Sequence, residues 1–129
     1  MHFFKIKNLH LALSSFIIIS FGLIYGAFPS KTIPYFFNFN IESIELHNIF
    51  RAMMSLYIGI AIYWIIGIFK PNHWRNATLI NIIFMGSLAF GRIVSFLMDG
   101  FSIPFFKGLI LELFFCTWGV INLYKYKTS

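Results

Sequence analysis

Four long stretches of this chain carry almost no charge, and their spacing leaves room for little else. Between Leu11 and Ser30 no residue is charged, and Lys5 and Lys7 stand just before the run. A second clean run extends from Ala52 to Phe69 and stops at Lys70-Pro71-Asn72. The third, Leu79 to Met98, is broken by Arg92 and ends at Asp99-Gly100; the fourth, Pro104 to Tyr124, is broken by Lys107 and Glu112. Each approaches the roughly 20 residues that a helix needs to cross the hydrocarbon of a bilayer. Inside lipid a backbone must satisfy its own N–H and C=O groups, which a helix does. The expected fold is therefore all-α, an antiparallel bundle of four transmembrane helices in a single domain. Its spans are expected at about 11–28, 50–69, 79–98 and 104–124, with a connection over 29–49.

Composition agrees with this reading. At 129 residues, 59% hydrophobic and 11% charged, the chain departs far from the roughly 25% charged content of soluble domains. The first run has the basic start of a secretory signal, and Ser20-Phe21-Gly22 resembles a cleavage site. It is longer than the roughly 7–15 residue core of such signals, so it is read as a retained anchor.

The net charge of +6 would suggest nucleic acid for a soluble protein, but the basic residues flank the apolar runs, where they set orientation. Four spans put Lys5, Lys7, Lys70, Arg75, Lys125 and Lys127 on one side. Lys31, Arg51 and Lys107 fall on the other, offset by Glu42, Glu45 and Asp99. The basic side is cytoplasmic by this rule, so both termini are expected inside. Asn76-Ala77-Thr78, a match to a glycosylation acceptor, then carries no meaning. In the outer connection, aromatic around Tyr35-Phe36-Phe37, Asn40 is expected to cap a short helix bearing Glu42 and Glu45.

Arg92 and Glu112 lie within apolar runs, where a charge costs about 2.5–3.5 kcal/mol and must find a partner. Counted at 1.5 Å per residue from the connection between the third and fourth spans, Arg92 is about 9 Å deep and Glu112 about 10 Å. A contact between them is expected. On a helical wheel Asn81, Arg92, Ser95 and Asp99 share a face, as do Gly108, Glu112, Cys116 and Gly119. Arg51, with Ser55 one turn below, is expected to reach Asp99 or Glu45. The polar cluster is thus Arg51, Ser55, Arg92, Ser95, Asp99 and Glu112. It is read as a lock that fixes helix register, as an outward pocket that binds a small headgroup or moves a proton, with Glu112 titrating, or as charges whose pairs a partner subunit completes.

Gly22 and Gly26, with Ser15 on the same face, form a small-residue pattern read as internal packing; Ser87, Gly91 and Ser95 repeat it on the third span. His2, His10, His47 and His73 are spread over both ends of the spans, so neither a metal nor a haem site is expected. Trp74, Tyr124 and Tyr126 read as interfacial anchors and Trp64 as lipid-facing or packing. The lone Cys116 makes no internal disulfide. Nothing matches a catalytic serine elbow, phosphate loop or zinc-protease pattern, so no catalytic residue and no cofactor is expected.

The segments His47-Asn48-Ile49-Phe50-Arg51, Leu56-Tyr57-Ile58-Gly59, Gly91-Arg92-Ile93-Val94-Ser95 with Asp99-Gly100, and Leu111-Glu112-Leu113 resemble small bacterial membrane proteins grouped as "domain of unknown function 4345". The resemblance covers roughly residues 47–124. It implies a four-helix integral membrane protein, mostly bacterial, without an assigned activity; the expected location is the bacterial cytoplasmic (inner) membrane. Its characteristic positions would be Arg51, Arg92, Ser95, Asp99, Gly100 and Glu112. Met53, Met54 and Ser55 stand where the resemblance implies smaller residues.

Three function classes remain. The first is a non-enzymatic membrane protein, self-associating or accessory to another subunit, with the lipid bilayer as its partner and no nucleic acid. The second is a binder or transporter of a small lipophilic or amphiphilic molecule. The third is an enzyme acting on a lipid or quinone-like substrate, for which one carboxylate and one arginine make a thin set.

Overall fold

Proline marks the start of three helices in this protein because its ring presets the helical φ and its missing N–H is one that a first turn leaves unbonded anyway. The computed structural model describes residues 5–126; His2 and Lys127 lie outside these. A 3-10 turn at Ile6–Asn8 leads into α1, Leu9–Gly26. It is followed by α2 (Pro29–Phe37), α3 (Ile44–Phe69), α4 (Pro71–Asp99) and α5 (Ile103–Lys125). Pro29, Pro71 and Pro104 sit in the first turns of α2, α4 and α5. Asn38, at φ 64°, closes α2 in the left-handed region, its N–H bonding to Pro34 O at 3.2 Å. Gly100 ends α4 at φ 113°, a conformation that side-chain-bearing residues rarely adopt.

The described residues are helical or irregular, with no strand. Among the described residues, four helical segments are long and apolar enough to cross a membrane: Ile6–Gly26, Ile44–Phe69, Pro71–Asp99 and Ile103–Lys125. The chain is a multi-pass membrane protein by helix length and hydropathy. The helices outrun the apolar stretches because backbone bonding continues through polar flanks; the 29 residues of α4 make about 43 Å of helix, more than a hydrocarbon core needs.

Two packed units divide the chain. In the first, which takes in the chain up to Ala12 and from Trp64 onward, α4 and α5 run antiparallel. Arg75 Nη1 donates to Leu123 O at 3.4 Å at one end, and Cys116 Sγ contacts Ile82 O at 3.6 Å in the middle. Phe96, Phe101 and Phe106 close the α4–α5 turn, with centroids of successive rings 5.2 Å apart. Gly67 admits α4 so closely that a Cβ there would lie 2.5 Å from Ala77 Cβ.

The second unit, Leu13–Tyr63, packs α1 antiparallel to the first half of α3. A Cβ at Gly22 would stand 3.2 Å from Tyr57 Cβ, and one at Gly26 would meet Met54 Cβ and, at 2.8 Å, Phe50 O. The bulk of Met54 is thus taken up by a glycine on the opposite helix. Tyr25, buried, is ringed by Phe37, Phe50 and Tyr57 at 5.6–5.8 Å.

The connection over 29–49 differs from its expected form in two ways. Its aromatic segment is the helix α2, held by Thr32 Oγ1 to Ile24 O and by Ser30 to His47 Nε2 at 2.8 Å. The cap of the next helix is Ser43, whose Oγ accepts Leu46 N–H at 3.1 Å, and Glu42 precedes that helix. Asn40 is exposed and outside both helices. A serine directly before the first turn reaches the third N–H of the helix, which a residue four positions back does not.

Candidate functional site

The strongest polar contact of the first unit joins its two longest apolar segments. Arg92 leaves α4 and lies along α5 over a shelf made by Phe105 and Gly108. The guanidinium carbon is 5.2 Å from the Phe105 ring centroid, and a Cβ at Gly108 would come within 3.3 Å of Arg92 Nε. Glycine at 108 therefore clears the path of the side chain. At its end Arg92 Nε donates to Glu112 Oε1 at 2.8 Å and Oε2 at 3.0 Å, while Nη2 donates to Oε2 at 2.8 Å. Both carboxylate oxygens are thus engaged by one planar fork, a geometry that arginine offers and lysine does not. The side chains are 17% and 8% exposed, so little solvent or lipid reaches the contact.

The other residues of the expected cluster have contacts or exposure of their own within each unit. Ser95 Oγ donates to Asp99 Oδ2 at 3.1 Å one turn along α4, and both side chains are exposed. They do share the helical face of Arg92, but they stand in the last turns of α4, nearer its exposed end. In the second unit Arg51 Nη1 donates to the carbonyls of Gly26 at 2.8 Å and Ala27 at 3.3 Å, not to Glu45. These are carbonyls that the end of α1 leaves unbonded, so Arg51 acts as a cationic C-terminal cap to that helix. Ser55 is exposed.

One aromatic expectation also changes, and another is narrowed to packing. Trp74 is buried, with Nε1 directed at Lys7 O (3.4 Å) and Lys7 Nζ 4.8 Å above its ring, so it packs the interior of the unit while exposed Tyr124 is left to the surface. Trp64 is fully buried as well. The acceptor-like Asn76-Ala77-Thr78 lies within α4, with Thr78 buried.

A set of interior polar residues has no counterpart in the expected cluster: His10, Thr78, Asn81 and Asn122 of the first unit are all buried. Asn81 was grouped by its wheel position with Arg92, yet it belongs to the opposite end of α4, on the inward line of Trp74, Ala77, Thr78, Met85 and Ala89. The signal that finds these residues is the one that found Arg92: a polar side chain in an apolar run turns away from lipid. Among the described residues no group of three or more His, Cys, Asp or Glu side chains stands close enough to hold a metal ion.

No curated protein and no solved structure matches this chain. The family model described as domain of unknown function (DUF4345) matches residues 6–123, well beyond the segments in which the resemblance was seen and including the first helix. The chain, from its first helix to its last, belongs to the DUF4345 family.

Proposed function

We propose that this protein is a non-enzymatic subunit of the bacterial cytoplasmic membrane, both termini inside, in which Arg92 and Glu112 lock α4 to α5 and the exposed side of α4 receives a partner helix. One observation carries the reading: the guanidinium engages both oxygens of the carboxylate in a contact largely closed to solvent. A site for a headgroup or proton donor needs an approach to Glu112, and the side chain is 8% exposed with Arg92 across both its oxygens. A paired, desolvated ion pair adds little net stability but imposes one register on the helices that carry it.

The partner surface is argued from α4 itself. Ser87, Gly91 and Ser95 follow one another at helical spacing and are exposed, with open space around Gly91. Small residues in such a row let a second helix approach closely in lipid. The partner is another copy of this chain or a different membrane subunit.

Gentle extraction followed by native mass spectrometry tests the reading. A complex heavier than one chain is expected, and Gly91→Leu should dissociate it while leaving helical content unchanged. A single chain at every protein concentration, with no companion from native membranes, would overturn it.

A further inference from the structure

The interior polar residues of the first unit gather toward the end that holds Lys7 and Asn122, whose contact is made through Lys7 O at 3.5 Å from Asn122 Nδ2. Two turns along α4 from Trp74, about 10 Å deeper, is Asn81. Its side chain is 0% exposed, and neither Oδ1 nor Nδ2 bonds to any protein group. Thr78, one turn back on the same face, is equally buried, and its hydroxyl has no protein partner. Across from them the buried indole Nε1 of Trp64 is also unbonded.

His10 completes the group. The Phe115 carbonyl accepts only, so His10 Nε2 is the donor of that 2.9 Å bond. In the neutral ring Nδ1 is then an acceptor, and it too is buried without a protein partner. Contacts of their neighbours link the residues. A Cβ at Gly119 would lie 2.8 Å from Ile82 Cγ1 and 3.2 Å from His10 Nε2, which sets His10 beside the neighbour of Asn81. Trp64 stands edge-on to Phe84, one turn from Asn81, with centroids 5.5 Å apart.

The unsatisfied atoms are mixed in kind. Trp64 Nε1 and Asn81 Nδ2 donate, Asn81 Oδ1 and His10 Nδ1 accept, and Thr78 Oγ1 does either. An occupant must therefore both donate and accept. None of the four residues carries a fixed charge, so an ion would find no counter-charge among them. Buried polar atoms of native proteins are almost all bonded, to protein or to ordered water, and an internal water needs two to four polar partners. We propose that His10, Trp64, Thr78 and Asn81 form an internal site for water within the membrane-spanning part of the first unit.

The protein holds three tryptophans, Trp64, Trp74 and Trp118, so indole ¹⁵N labelling gives three resonances assignable by single Trp→Phe variants. In lipid nanodiscs, magnetisation transfer from water to each indole proton is then measured. Transfer to Trp64 is expected in the native chain, with its loss in Asn81→Leu/Thr78→Val while the Trp74 and Trp118 signals stay in place. Thr78→Val alone, expected to reduce the transfer, serves where the double variant does not fold. Absence of transfer to Trp64 in the native chain, transfer from lipid or a copurified amphiphile in place of water, or full transfer in a folded variant would each overturn the proposal.

Discussion

Replacing Arg92 and Glu112 by apolar residues of similar size, singly and together, tests what their contact does. The native side chains are 17% and 8% exposed and bonded through both carboxylate oxygens. Removing one partner leaves the other charge in a site shaped to exclude solvent, which costs about 3–5 kcal/mol; the residual exposure of Arg92 puts Glu112→Leu near the lower end. Arg92→Met keeps an unbranched stem over Phe105 and Gly108, so that variant loses charge with little change in packing. The double variant has no charge to desolvate and should return to within about 1 kcal/mol of the native chain, since apolar replacement of a whole buried pair is often neutral or stabilising. Reversible unfolding in mixed micelles by added SDS, followed by helical circular dichroism, reads all four proteins. Two independent residues would give a double loss equal to the sum of the single losses within about 0.5 kcal/mol. That additive result would refute the lock, as would native stability in either single variant.

Three further outcomes follow from the same geometry. Gly26→Ala should destabilise by about 1–3 kcal/mol, because a Cβ there meets Met54 and Phe50 O, whereas Gly59→Ala, with open space around it, should be neutral or gain up to about 1 kcal/mol from helix propensity; thermal melts of the two variants compare them directly. Ser43→Ala removes the acceptor for Leu46 N–H and should cost about 1 kcal/mol, seen as faster amide exchange in the first turn of α3. A reporter fused after Ser129 should be active only when it functions in the cytoplasm; activity of a reporter that works only outside would refute the termini-in orientation.

Much of the candidate site could be reached by counting residues. Depth depends on rise per residue from a recognisable turn, and the connection from Met98 to Phe105 supplied the origins for Arg92 and Glu112. Partner choice for Arg51 was not reachable that way. The carbonyls of Gly26 and Ala27 that it caps are acceptors in every sequence, so no residue type advertises them, while Glu45 does. Ser95 and Asp99 were placed on the right helical face, but whether a face is covered depends on where the neighbouring helix stops. α2 was hidden for a related reason: two prolines and three consecutive aromatics make a weak helix signal, and tertiary bonds such as Thr32 to Ile24 O hold it.

By itself the amino-acid sequence determined the class of fold, the number of long apolar helices, their stops, and the need of Arg92 and Glu112 for partners. Those are consequences of local length, hydropathy and the cost of a bare charge in hydrocarbon, and each is written in a contiguous stretch. Which apolar side chains face protein and which face lipid was decided only by the tertiary structure. Lipid is as apolar as a packed core, so Trp64 and Trp74 inside and Leu97 and Phe90 outside carry the same sequence signal. That His10 of α1 and Asn81 of α4 are both buried in the first unit became plain only when the helices were set side by side.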